Sequence, residues 1–125
     1  MKAAWPGLAA TRLRTWPDVV PGQVLPVELA FATSDQVGER AVSVRLVDAQ
    51  GSAVAQQDRA AAAEMDPFLL FVPPNAAPGC YRLEIVVYDP ATLQPIPDTQ
   101  GKNSAAAATI EVRTTTKTQQ GSCDS

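Results

Sequence analysis

An all-β fold of two packed sheets is what this sequence predicts, on three observations. Residues 73–89 read P-P-N-A-A-P-G-C-Y-R-L-E-I-V-V-Y-D, a turn at Pro78-Gly79 followed by two-residue alternation. Tyr81, Leu83, Ile85 and Val87 fall on one face of that strand, and Arg82, Glu84, Val86 and Tyr88 on the other. Similar short segments recur along the chain, separated by Pro- and Gly-based turn signals at ~8–12-residue spacing. The composition suits one core: 125 residues, 46% hydrophobic and 18% charged, a size that removes roughly two thirds of the unfolded surface from water.

Taken in order, residues 1–10 are expected to be a loosely held lead-in. Residues 11–16 (T-R-L-R-T-W) suit an edge strand, with Leu13 inward and Arg12 and Arg14 in solvent. The Pro and Gly content of residues 17–22 marks a turn. Residues 24–33 are a clear strand with Leu25, Val27, Leu29 and Phe31 inward, and Pro26 belongs early in it because it lacks an N–H. Residues 34–40 form a polar loop. Residues 41–48 are the next strand, with Val42, Val44 and Leu46 inward and Ser43, Arg45 and Val47 outward. Asp48-Ala-Gln-Gly51 makes a hairpin turn into residues 53–59.

Residues 60–65 (A-A-A-A-E-M) read as a short helix or a loop, ended by Asp66-Pro67. Phe68-Leu-Leu-Phe-Val72 is an apolar run without alternation between prolines, the pattern of a fully buried strand. After the strand that opens at Gly79, residues 89–98 are a Pro-rich connection. Residues 105–112 are the last strand, with Ala106, Ala108, Ile110 and Val112 inward and Ala107, Thr109 and Glu111 outward. The domain is therefore expected over residues 11–113. Residues 114–125, apolar only at Cys123, are expected to be disordered. Seven antiparallel strands of this kind predict an immunoglobulin/fibronectin type III-like two-sheet sandwich. The fibronectin-like form fits better, because the antibody-type Cys and Trp positions are lacking and Tyr81 stands where a hydroxyl can tie the turn to the sheet.

Several chemistries are excluded by what is missing. The chain has no histidine, which removes Ser-His-Asp and Cys-His catalysis and the usual zinc ligands. Its net charge is −3 with both signs scattered, so nucleic acid is not an expected partner. Glu28, Asp35, Glu39, Asp48, Asp58 and Asp66 could in principle supply a glycosidase pair, but Asp48 and Asp66 suit turns and Glu28 an outward face. No acidic cluster resembles a calcium loop. Cys80, with Cys123 far away in the tail, reads as a small half-buried thiol rather than a nucleophile. No cofactor, metal or catalytic residue is expected, and no run of ~18–20 apolar residues exists to span a bilayer. Pro6 and Gly7 interrupt the apolar N-terminus, so no signal peptide is read there.

Pro21-Gly22 before a strand, residues 42–48 followed by Gly51, and the block Pro73-Pro74, Pro78-Gly79, Tyr81 and Tyr88-Asp89-Pro90 carry a resemblance. Over residues 11–112 the chain resembles a β-sandwich domain found behind the membrane region of bacterial multi-pass proteins similar to dolichyl-phosphate-mannose-type glycosyltransferases. The resemblance implies a non-catalytic, extracytoplasmic accessory domain of a larger membrane protein. The expected partner is a neighbouring domain or subunit, or a glycan. A small protease inhibitor presenting residues 89–102 and a carbohydrate-binding module are the alternatives.

Trp5 and Trp16 admit two roles, a platform for stacking sugar and burial at an open end of the sandwich. Burial is the commoner fate of an aromatic, so Trp16 is assigned a structural role with Gly79 and Tyr81. The expected docking face is the outward row of the 79–88 strand and its neighbours. Arg45, Arg82, Glu84 and Glu111 form a charged ladder there, beside an apolar patch of Val47, Val86, Tyr88 and Ala107.

Overall fold

The structure is a computed structural model that describes residues 4–33, 39–63 and 65–113. The expected disordered tail, the loop around Gly38, and Asp35 lie outside the described residues. Among those described there is no helix, and the fold is all β. The strands are β1 (Ala4–Trp5), β2 (Leu8–Thr15), β3 (Asp18–Val19), β4 (Val24–Thr33), β5 (Ala41–Val47), β6 (Ala53–Ala60), β7 (Phe68–Phe71), β8 (Gly79–Tyr88) and β9 (Ala105–Val112). They make a four-stranded sheet in the order β1-β2-β4-β7 and a five-stranded sheet in the order β3-β9-β8-β5-β6.

One apolar cluster joins the two sheets in a sandwich-like arrangement. Leu25, Val27, Leu29 and Phe31 of β4 meet Val42, Val44 and Leu46 of β5 and Tyr81, Leu83, Ile85 and Val87 of β8, with Phe68, Leu70, Ile110 and Val112 completing it. The cause is alternation: a strand that places an apolar residue at every second position can bury one face and wet the other.

Four expectations are corrected. The lead-in is part of the fold. Trp5 pairs with Leu8 across the Pro6-Gly7 turn, both are buried, and the Trp5 and Phe31 rings meet edge-on at 6.1 Å. Residues 17–22 are more than a turn. After β2 the chain crosses to the other sheet, where β3 runs parallel to β9 and buries Val19. Strand β7 is not buried on both sides, since Phe68 and Leu70 point inward but Leu69 and Phe71 point out. In β9, a bulge opposite Leu83 and Glu84 changes the parity, so Ala105 is buried and Ala106 exposed, because an extra residue reverses which side chains face the core.

One turn chemistry appears twice. Asp48 and Asp98 each accept two backbone N–H bonds on Oδ1, at 2.9 Å, from the residues two and four positions on. Gly51 and Gly101 close the two loops at φ 87° and 81°, a region only glycine enters freely. The shared signature is D-x-Q-G. The second copy anchors the long β8–β9 connection, which also donates from the Ile96 N–H to the Val87 carbonyl and from the Thr99 N–H to the Ala4 carbonyl.

Candidate interaction faces

On the outer face of the five-stranded sheet, the antiparallel register separates residues that the sequence suggested as one patch. Val47 lies opposite Arg82, whereas Val86 lies opposite Ser43 and Tyr88 opposite Ala41. Val47 is thus at the far end of β8 from Val86, roughly 13 Å away at the rise of an extended strand. Neither valine is open to a partner: Val47 is 4% exposed and Val86 7%. Ala107 is the bulged residue of β9 and packs against the core. Of the four expected face residues, only Tyr88 carries exposed polar chemistry.

The charged ladder is also rearranged. Arg82 Nε donates to Glu84 Oε2 on its own strand, at 3.1 Å. Arg45 Nε donates to the fully buried Ser43 hydroxyl, also at 3.1 Å. Arg113 pairs with Asp18 at 3.2 Å, which ties the end of β9 to β3. Such exposed pairs contribute a few tenths of a kcal/mol, about the scale of other surface ion pairs.

What this face offers instead is an open cleft of about 440 Å³ at the end of β8. Tyr88 lines it, and its hydroxyl donates to Asp58 Oδ2 at 2.7 Å, linking β8 to β6. Gln56 Nε2 donates to the other Asp58 oxygen at 3.1 Å. Burial works to raise the Asp58 pKa, but the Tyr88, Gln56 and Ser43 hydrogen bonds and the Arg45 charge outweigh it, so the carboxyl lies below its ordinary value. The Tyr88 phenol is pushed up, first by its bond to Asp58, then by burial and by the Asp58 charge, with Arg45 opposing. Arg45, Asn103 and Ser104 line the same space.

Over the cleft stands Leu93, 70% exposed and at φ 63°. A leucine in that left-handed region costs about 1 kcal/mol or more. Its neighbours over-determine it: the Leu93 N–H donates to the Asp89 carbonyl at 2.7 Å, and the Asp89 N–H donates back to the Gln94 carbonyl at 3.0 Å. A Tyr88–Pro95 bridge closes the loop onto β8.

The outer face of the four-stranded sheet is of another kind. Val24 pairs with Phe71 and Pro26 with Leu69, so four apolar residues form one block. Trp16 follows Thr15, which is paired with Val27 and whose hydroxyl donates to the Pro26 carbonyl at 2.8 Å. That places Trp16 at the same end of the sheet. Trp16, Val24, Leu69 and Phe71 are 41 to 54% exposed, on the order of 400 Å² of apolar surface, the size of the larger patches on monomeric proteins. Arg12, Arg14 and Glu28 border it on β2 and β4. The edge of β7 is partly closed: the Leu69 N–H donates to Gln57 Oε1 at 2.7 Å, and the Arg59 guanidinium sits 5.5 Å above the Phe68 ring.

The structural residues fall as follows. The Tyr81 hydroxyl donates to the Ala77 carbonyl at 2.7 Å, and burial and the Asp48 charge push that phenol up against the effect of this bond. Gly79 opens β8 at φ 152°, which a side chain would strain. Trp16 is exposed, and the buried tryptophan is Trp5, which removes Trp5 from any sugar platform. Cys80 is exposed and disulfide-bonded, not a half-buried thiol. The sequence's other cysteine, Cys123, lies outside the described residues. The described candidate carboxylates are scattered over different strands and turns. Among the described residues no group of His, Cys, Asp or Glu is arranged to hold a metal ion, and no helix is long and apolar enough to cross a membrane. No family model matches the chain, and no curated protein matches it.

Proposed function

We propose that this chain is a non-catalytic interaction module of immunoglobulin or fibronectin type III type, an accessory domain of a larger, membrane-associated bacterial protein. The observation that carries the interaction role is the apolar block of Trp16, Val24, Pro26, Leu69 and Phe71 on the outer face of the four-stranded sheet. A sheet face of that size costs solubility if it stays in water, and its borders of Arg12, Arg14 and Glu28 resemble the polar rim of an interface. Its occupant in this reading is a neighbouring domain or subunit of the parent protein.

The sheet orders support the sandwich type: β2-β4-β7 faces β9-β8-β5-β6, and the Tyr81–Ala77 bond ties the turn before β8 to the sheet, as tyrosine corners do. A bonded Cys80 suits an extracytoplasmic, oxidising location. The resemblance of residues 11–112 to membrane-protein accessory domains points the same way. The inhibitor alternative is less favoured, since the 89–102 connection is held to the sheet and to Ala4 by its own backbone bonds.

The test is the pair Leu69→Glu and Phe71→Lys, made together. The isolated fold should keep its urea midpoint within about 0.5 kcal/mol, as exposed substitutions do, while attachment to the parent protein is lost. Attachment as tight as wild type would overturn the docking face. If the isolated chain self-associates and the double variant does not, the occupant is a second copy.

A further inference from the structure

We propose that the cleft at the end of β8 binds a neutral saccharide, on a face of the sandwich separate from the docking face. Its volume, about 440 Å³, falls within the roughly 300–1,000 Å³ usual for small-ligand sites. Its charges are matched within the protein. Glu84 is held by Arg82 at 3.1 Å, and Asp58 faces the Arg45 guanidinium, which favours its ionised form. No uncompensated charge remains to select an ion. What remains are hydrogen-bonding groups of both kinds in the lining: donors on Arg45, acceptor lone pairs on Asp58, and Asn103 and Ser104, which offer both.

Beside these polar groups stand the apolar parts a sugar ring needs. The Tyr88 ring is tethered through its hydroxyl to Asp58 at 2.7 Å, and Leu93 and Pro95 also line the cleft. Leu93 matters most, because a leucine at φ 63° with its side chain largely in water has no folding reason to be there. Glycine or asparagine would take that backbone conformation at lower cost. Strain kept at a position that lines a cleft is what a ligand-contacting residue looks like. A polyhydroxylated ring, with C–H faces and hydroxyl edges, matches both halves of the lining.

The proposal is tested by titrating the ¹⁵N-labelled chain with maltohexaose, cellohexaose, xylohexaose, mannohexaose and chitohexaose at millimolar concentration, alongside hexagalacturonate and a heparin hexasaccharide. At least one neutral oligomer should shift the amides of Asp58, Tyr88, Leu93, Asn103 and Ser104. Leu93→Gly relieves the backbone strain, so it should leave the urea midpoint unchanged or higher while weakening that binding about tenfold. A purely structural Leu93 would show the stability change without the binding change. Three outcomes overturn the assignment: no shifts with any neutral oligomer, shifts confined to the Trp16, Leu69 and Phe71 face, or binding of the charged oligomers alone. Because the docking variants lie on the other sheet, failure here leaves the interaction role standing, and the reverse holds too.

Discussion

The two outer faces of this molecule treat their apolar residues in opposite ways. On the five-stranded sheet, Val47 and Val86 point outward by alternation but are covered, and the polar groups around them bond to one another: Arg82 to Glu84, Arg45 to Ser43, Tyr88 to Asp58. On the four-stranded sheet, Val24, Leu69 and Phe71 point outward and stay in water. The difference lies in the neighbours. Strand β8 is central, flanked by β5 and β9, so its outer row has a strand on either side to pack against. Strand β7 is a four-residue edge strand with a neighbour on one side only. Leu69 and Phe71 on that edge are therefore left open, while Val86 in the centre of the other sheet is covered.

The comparison is broken most severely within β7 itself. Phe68→Ala, at a fully buried ring, should cost about 3–5 kcal/mol through lost transfer energy and a cavity. Phe71→Ala, three residues on and half exposed, should cost about 0.5 kcal/mol or less. Equal urea midpoints for the two variants would mean the strand is buried on both faces after all. Next in size comes the β8 anchor: Tyr81→Phe loses the bond to the Ala77 carbonyl, about 1 kcal/mol. An unchanged melting curve for that variant would show that the hydroxyl does not hold the turn.

The smallest effect is electrostatic and belongs to the five-stranded face. Asp58 titrates below its unfolded value, so its contribution is present above the unfolded pKa, near ~3.9, and is lost as pH falls through the folded one. Tyr88 titrates above its unfolded value, so its share is present below ~10 and lost as pH rises through the folded pKa. The stability gap between wild type and Asp58→Asn should therefore shrink on acidification. A gap that is constant from neutral pH to about pH 3 would separate Asp58 from the Tyr88 bond.

The inward rows of β4, β5 and β8 were legible because strict alternation contrasts Leu29 with Glu28 and Leu83 with Arg82. Where that contrast fails, so does the reading. Phe68-Leu-Leu-Phe71 is apolar throughout, and nothing in it distinguishes inside from outside. The all-alanine start of β9 conceals a bulge, and with it the parity of Ala105 to Ala108. Val47, Val86 and Tyr88 were legible as outward, but not their distance apart, since register across strands is set by turns far from Val47 and Val86. Ala107 was misplaced by the bulge and packs against the core. Burial was the expected fate of a tryptophan, and Trp5 meets it. Its pairing with Leu8 was missed because Pro6-Gly7 reads as an interruption, although Pro-Gly between two apolar residues is also a hairpin turn. The cleft was half visible: Tyr88 was singled out, but Asp58 and Leu93 join it only through the fold.

Oxidative footprinting of the two tryptophans distinguishes a covered four-stranded sheet from an open one, because one chain carries both reporter and control. In the isolated chain Trp16, 47% exposed, should be oxidised readily, while Trp5, 2% exposed, stays protected. In the proposed assembly with a neighbouring domain or subunit, Trp16 should fall to the level of Trp5, with Leu69 and Phe71 protected alongside it. Trp16 equally reactive in both states, with the fold intact, would contradict the account of the four-stranded sheet as the docking face.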